Sequence, residues 1–164
     1  MSPKPTAEGF DVVGALLSAY AANDRINAYL IENLDDAAWN APTVDGKGRT
    51  ISAIVAHIHN VRLMWLRSSG ASAELPEKLN GDTFSRKDAI QALAASCTAM
   101  HDVLSRSLAA DGRIKGFKPD AATFLGYLFA HDAHHRGQIA MIARQVGHPL
   151  PKSVSFGLWE WGSR

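Results

Sequence analysis

The amino-acid sequence predicts an all-α protein, a four-helix bundle with long connections and an aromatic C-terminal tail. Apolar residues recur three or four positions apart in four long segments, which is the spacing of one face of an α-helix. No segment alternates apolar and polar residues as a strand does, and no internal repeat is present. We expect helices at about residues 10–34, 50–68, 85–108 and 120–146, within one domain that spans residues 1–164.

The first helix follows a polar stretch, residues 1–8, that we expect to be a loose tail with Thr6 as a candidate N-cap. The apolar stripe of this helix is formed by Val13, Leu17, Tyr20, Ile31 and Leu34. Asp24 and Asn27 lie near the same stripe. They have two interpretations: polar groups at the edge of the helix, or partners that orient a buried ligand histidine.

The second helix follows a loop at residues 35–49, and its apolar stripe contains Ile51, Ile54, Ile58, Val61 and Trp65. His57 lies on the buried edge of this helix, because it is three residues after Ile54 and four before Val61. His59 is about 200° around the helix axis from His57 and should face away from it. These two histidines cannot both serve one site on an undistorted helix, and the stripe favours His57.

Ser85 and Asp88 have the spacing of a capping box and predict the start of the third helix. The stripe of this helix contains Ile90, Leu93, Cys97, Met100 or His101, Leu104 and Leu108. We interpret Cys97 as a buried structural thiol, since nothing near it in sequence would lower its pKa. His101 lies at the edge of the stripe, and an approach to a functional site stays open.

Asp120 is the expected N-cap of the fourth helix, and Gly147 predicts that this helix ends at Val146. The remaining segment, residues 150–164, is rich in aromatic residues, which are Phe156, Trp159 and Trp161. We expect it to be packed rather than disordered. Whether it packs on its own helices, over a site or on a second subunit stays open.

Two histidines in the fourth helix lie on its core-facing side. His131 and His135 are four residues apart, so their side chains are only about 40° apart around the helix axis. The apolar residues within roughly 60° of His135 are Phe124, Leu128, Ile139 and Ile142. An unpaired imidazole on such a face is costly. His134 is about 100° away, at the flank of the stripe.

His57, His131 and His135 together are three imidazoles on the buried faces of two helices. Three neutral histidines with one open position are typical of a catalytic zinc site. Nickel, manganese or iron can occupy such a site as well. A bound divalent ion would lower the pKa of a water or a thiol near pH 7. Asp132 stands where the His-Glu-x-x-His pattern needs glutamate, which disfavours that class of metalloprotease.

Composition excludes several classes of protein. The formal net charge is +1 over 164 residues, with no basic patch, so nucleic acid is not an expected partner. The single cysteine excludes an intrachain disulfide. No signal-peptide pattern and no apolar run of membrane-spanning length is visible, so we expect a cytoplasmic protein without a membrane partner.

The sequence resembles the DinB family of four-helix-bundle metalloproteins. The resemblance rests on His57 followed by Trp65 in the second helix, and on the segment His135-Arg136-Gly137-Gln138, with His131 before it, in the fourth. It covers nearly the whole chain. It implies a divalent metal held by His57, His131 and His135, and a homodimer. It also implies kinship with transferases and isomerases that use low-molecular-weight thiols such as bacillithiol or mycothiol.

The extra histidines, His59 and His134, leave open which residues ligate. Arg136 is expected to pair with a carboxylate of a neighbouring helix or subunit, while Gln138 is about 60° from His135 and could reach the site. Our first hypothesis is a metal-dependent transferase or hydrolase that acts on a small electrophilic substrate, with the thiol dependence that the resemblance implies. The alternative is a metal-binding or ligand-binding stress protein without turnover, and a third reading makes the histidines purely structural.

Overall fold

The computed structural model describes residues 9–71, 74–80 and 83–164. This part of the chain is mostly helical and contains no strand, which confirms the all-α prediction. The helices are α1 (Val12–Glu32), α2 (Asp36–Trp39), α3 (Ile51–Ser69), α4 (Arg86–Ala109), α5 (Ala121–Gln145) and α6 (Lys152–Gly157). None of the helices in the described ranges is long and apolar enough to cross a membrane.

Side-chain caps set the starts of the four long helices. Asp11 caps α1 by accepting a hydrogen bond from the backbone N–H of Gly14 at 2.9 Å, so this helix begins slightly later than expected. The proposed cap Thr6 lies outside the described residues. Thr50 caps α3, the capping box of Ser85 is present at the start of α4, and Asp120 caps α5 as predicted.

The predicted loop at residues 35–49 contains one turn of helix, α2, that the sequence pattern did not indicate. Asp35 caps this turn, and Trp39 is buried with its indole Nε1 donating to the carbonyl of Phe84 at 3.3 Å. Arg86 donates to the carbonyl oxygen of Leu34 in the same region. A turn of four residues is too short to show helical periodicity, so only its tertiary partners reveal it.

The long helices pack so that α1 and α3 each contact both α4 and α5. Their apolar residues form two core clusters. One includes Leu30, Ile51, Ile58, Leu93 and Ile139, and the other includes Leu17, Leu63, Met100, Phe124 and Leu128. On each long helix, buried polar residues near the middle separate the residues of one core cluster from those of the other. We call them the polar layer: Asn23, Asn27, His59, Arg62, Ser96, Asp132 and His135.

The C-terminal segment contacts the helices of its own chain. α5 ends at Gln145, one residue before the predicted Val146, which is its C-cap, and Gly147 follows with φ of 91°. The Trp161 ring lies 6.0 Å from that of Phe129 on α5, between centroids. Trp159, by contrast, is 82% exposed. The segment is therefore packed in part, and some of its aromatic surface faces outward.

We predict that Ser85→Ala lowers the free energy of unfolding by about 1 kcal/mol, because it removes the side-chain acceptor at the start of α4. Chemical denaturation monitored by circular dichroism measures the change. Ser105→Ala, a substitution inside the same helix, is the matched control and should be neutral or slightly stabilising. Equal losses in both variants would contradict the capping role.

Candidate metal centre

Three histidines from two helices meet in this structure. His57 comes from α3, and His131 and His135 come from α5. One ring nitrogen from each residue lies within 4.8 Å of the others. The ring centroids are 5.3 Å apart for His57 and His131, 4.8 Å for His57 and His135, and 4.5 Å for the α5 pair. The three candidate ligands that the sequence predicted are therefore brought together.

Gln138 determines which nitrogen of His135 is free. The Nδ1 of His135 lies 2.7 Å from Oε1 of Gln138, an oxygen that can only accept. Nδ1 therefore carries the proton, and Nε2 keeps its lone pair. Ligand histidines in metal sites characteristically donate their second ring N–H to such an oxygen. The open question of whether Gln138 reaches the site is answered: it contacts His135 directly.

Asp132 lies beside His131 in the corresponding position. Its Oδ1 lies 3.5 Å from Nδ1 of His131 and has no closer hydrogen-bond partner in the described part of the chain. A buried carboxylate oxygen without a partner is costly. A small rotation of the His131 ring would satisfy it and leave Nε2 as a donor to a metal. The residues present thus fit a divalent ion in their donor chemistry and in the proximity of their ring nitrogens.

The other oxygen of Asp132 is held from three directions. Oδ2 accepts hydrogen bonds from Asn23 at 2.7 Å, from Asn27 at 2.8 Å and from the guanidinium of Arg62 at 2.7 Å. Arg62 also donates to Asp24 at 2.6 Å. Burial alone would raise the pKa of Asp132, but the charge of Arg62 and these hydrogen bonds lower it well below its usual value. Asp132 is therefore ionised beside His131.

The contacts of Asp24 and Asn27 are to Arg62 and Asp132, so neither side chain is merely a solvated group at the helix edge. Both side chains belong to a hydrogen-bonded network, and Asn27 contacts the carboxylate that neighbours a candidate ligand. Arg136 also joins this network, but not as expected. It donates to the amide oxygens of Asn23 at 2.8 Å and Asn27 at 2.6 Å rather than to a carboxylate. Arg136 therefore pairs with amide oxygens of α1, and the expected pairing with a carboxylate of a neighbouring helix is wrong.

The remaining histidines lie outside the cluster. His59 points away from it but is fully buried: Nε2 lies 2.8 Å from the carbonyl oxygen of Glu77, and Nδ1 lies 3.1 Å from the hydroxyl of Ser96. His134 is exposed, with its ring 5.0 Å from that of His135. His101, on α4, is not part of the cluster.

Cys97 is buried, as the sequence indicated. Burial raises the pKa of its thiol to about 12, with Asp24 adding to the effect. A thiol with this pKa is protonated at neutral pH and is a poor nucleophile. Any thiol chemistry at the histidine cluster would thus require an external thiol.

Aromatic rings form a wall on one side of the cluster. The ring of Tyr127 lies 5.9 Å from that of His131 and packs against Trp65 and Phe117 at 5.7 Å. Phe124 completes the group, 5.4 Å from Trp65. The indole Nε1 of Trp65 is buried and has no hydrogen-bond partner among the described residues. The wall gives the cluster a low-dielectric side, which strengthens electrostatic interactions near it.

Burial favours the neutral form of two histidines of the cluster, His57 and His135. Burial, and then the positive charge of Arg49, lower the pKa of His57 to about 4. Burial also lowers the pKa of His135, and the hydrogen bond to Gln138 raises it by a smaller amount. A histidine must be neutral to bind a metal. The site is thus prepared for a cation at neutral pH.

The chain belongs to the DinB family. The model of that family matches residues 6–158 of the 164-residue chain. Neither a curated protein nor a solved structure matches the chain significantly. The family membership that the His57 and His135-Arg136-Gly137-Gln138 segments indicated is therefore confirmed.

We predict that the metal-free protein loses stability as the pH falls from 7 to 5. The pKa of His57 is about 4 in the folded chain, against an ordinary value of 6.5, so the unfolded chain takes up the proton first. The free energy of unfolding should fall by about 1 kcal/mol through His57, discounted for its partial exposure. Urea titrations at both pH values measure this, and His57→Gln should reduce the difference. An unchanged difference in that variant would contradict the assignment.

We predict that Asp132→Asn lowers the free energy of unfolding by about 3 kcal/mol, because it removes the more deeply buried of the two carboxylates that pair with the guanidinium of Arg62. Asp102→Asn is the matched control. It breaks an exposed ion pair with Arg106 and should cost less than about 0.5 kcal/mol. Urea denaturation of both variants at pH 7 provides the comparison, and similar losses would contradict the central role of Asp132.

Proposed function

We propose that the protein binds a divalent metal ion through His57, His131 and His135 and is a metal-dependent transferase or hydrolase. Its substrate would be a small electrophile, and a low-molecular-weight thiol is the proposed co-substrate of a transferase. Zinc and nickel are the first candidates for the ion, with manganese and iron as alternatives.

One observation carries this proposal: the donor set is three imidazoles without a fourth protein ligand. Within the described ranges, no carboxylate or thiolate belongs to the cluster. Structural zinc sites normally have four protein ligands, whereas catalytic sites have three and leave one position for water or substrate. The cluster has the composition of the second kind.

When bound, a divalent ion supplies charge that lowers the pKa of a water or thiol and stabilises developing negative charge. The protein contributes orientation. Gln138 accepts a hydrogen bond from Nδ1–H of His135, so that the lone pair of Nε2 stays available to a metal ion. Asp132, fixed by Arg62, faces the Nδ1 of His131. The aromatic wall around Tyr127 limits water on that side of the cluster.

We further infer that the four long helices form a four-helix bundle of the DinB type within a single domain. Their mutual contacts support this arrangement, since α1 and α3 each pack against both α4 and α5. The homodimer and the cytoplasmic location expected from the sequence remain predictions. The same holds for the absence of nucleic-acid partners.

We predict about one divalent ion per chain in the purified or reconstituted protein, measured by elemental analysis. His57→Ala and His135→Ala should each lose it while helicity by circular dichroism is retained, because two imidazoles hold such an ion far less tightly than three. His101→Ala and His134→Ala are the matched controls and should keep the ion, since neither residue belongs to the cluster.

Absence of metal from the reconstituted parent would overturn the proposal and return the three histidines to a structural role.

Access of a thiol to the metal is tested separately. Addition of a thiol to the cobalt-substituted protein should change its visible spectrum if a coordination position is open to an external thiol. An unchanged spectrum would favour the alternative, a metal-binding protein without thiol-dependent catalysis.

A further inference from the structure

A cavity of about 620 Å³ lies next to Gln138, the hydrogen-bond partner of His135, toward the C-terminal end of α5 and away from the aromatic wall. It lies between a loop at residues 43–49, the first turns of α3 and the second half of α5. Gln138 connects the two sites, because it lines this cavity and its Oε1 also accepts the hydrogen bond from Nδ1 of His135. The volume is in the range of pockets that bind small molecules, about 300–1,000 Å³.

The lining of this cavity combines an apolar floor with a charged rim. Ile54 of α3 and Ile142 of α5 contribute to the floor. Lys47, Arg49 and Asp45 carry the rim charges, two cations against one carboxylate. Such a lining suits a ligand with an apolar body and an anionic end.

The carboxylate of the rim is already engaged by its own loop. Oδ1 of Asp45 accepts a hydrogen bond from the backbone N–H of Lys47 at 3.0 Å and one from the hydroxyl of Thr43 at 3.3 Å. The hydroxyl of Thr43 also contacts the carbonyl oxygen of Lys47. Gly48 follows with φ of 91°, a backbone conformation that residues with a side chain rarely adopt. The turn that precedes Arg49 therefore depends on glycine.

The two cations of the rim have no comparable partner. Across residues 9–71, 74–80 and 83–164, no carboxylate oxygen lies within 4.0 Å of the charged nitrogens of Lys47 or Arg49. Arg49 is close enough to the cluster for its charge to act on both His57 and His135. A free guanidinium at the mouth of an apolar cavity is well suited to bind a carboxylate or phosphate through paired hydrogen bonds.

We propose that this cavity is the binding site for the organic portion of the substrate or thiol, and that Arg49, assisted by Lys47, recognises an anionic group on it. This inference rests on the proposed function for the role of the ligand, but the anion site itself does not require a metal. The protein would therefore select small molecules that carry a carboxylate or phosphate at one end and a reactive atom at the other.

Hexanoate, hexanamide and hexylamine are suitable probes, since they share a chain length and differ in charge. Titration of the ¹⁵N-labelled full-length protein, followed at the amides of Gly48, Ile54 and Ile142, gives their dissociation constants. We expect hexanoate to bind about five- to tenfold more tightly than hexanamide, and hexylamine to bind most weakly. Arg49→Gln should abolish the preference. Arg67→Gln, which removes an exposed cation at the other end of α3, is the matched control and should retain it.

His131→Ala separates this inference from the proposed function. Hexanoate should bind this variant as tightly as the parent, and Arg49→Gln should keep the full metal content of the parent. Equal affinities for hexanoate and hexanamide in the parent would overturn the anion site, as would a preference that survives Arg49→Gln. Loss of hexanoate binding in His131→Ala would place the carboxylate at the histidine cluster instead. Absence of metal with an intact hexanoate preference would reject only the metal-dependent function.

Discussion

The buried ion pair between Arg62 and Asp132 is the interaction on which the rest of the structure depends. Both side chains are 1% exposed, and between them they contact all four long helices. Arg62 belongs to α3 and also reaches Asp24 of α1 and the carbonyl of Leu93 on α4 at 3.2 Å. Asp132 belongs to α5 and is bound by Asn27 of α1. Buried charges that must be paired tolerate few alternative packings of these helices.

This pairing links the fold to the candidate metal centre. Asp132 lies between the two candidate ligands of α5, so the contacts that neutralise it also determine the rotation of that helix. When the side chain of Asp132 faces Arg62 and Asn27, those of His131 and His135 face His57 on α3. The stability of the helix packing and the geometry of the donor set therefore have a common origin, as in metal sites whose ligands are oriented by a second layer of hydrogen bonds.

The surroundings of the three histidines differ on their two sides. Tyr127 and its aromatic neighbours enclose one side, while the loop that carries Arg49 borders a cavity on the other. In the function that we propose, the histidine cluster would supply activation and the loop would supply recognition, and the two come from different segments of the chain. Variation of that loop could change the ligand without altering the donor set.

The sequence by itself determined the features that depend on local periodicity: four long helices, the caps at Ser85 and Asp120, and the shared face of His131 and His135. These follow because helical spacing and capping involve residues only three or four positions apart. Only the tertiary structure decided the partners of the polar groups. Arg62 and Asp132 are 70 residues apart, and the burial of His59 depends on α4 and on a loop. No local pattern encodes which distant side chain neutralises a buried charge, because that choice is made by the packing of all four helices together.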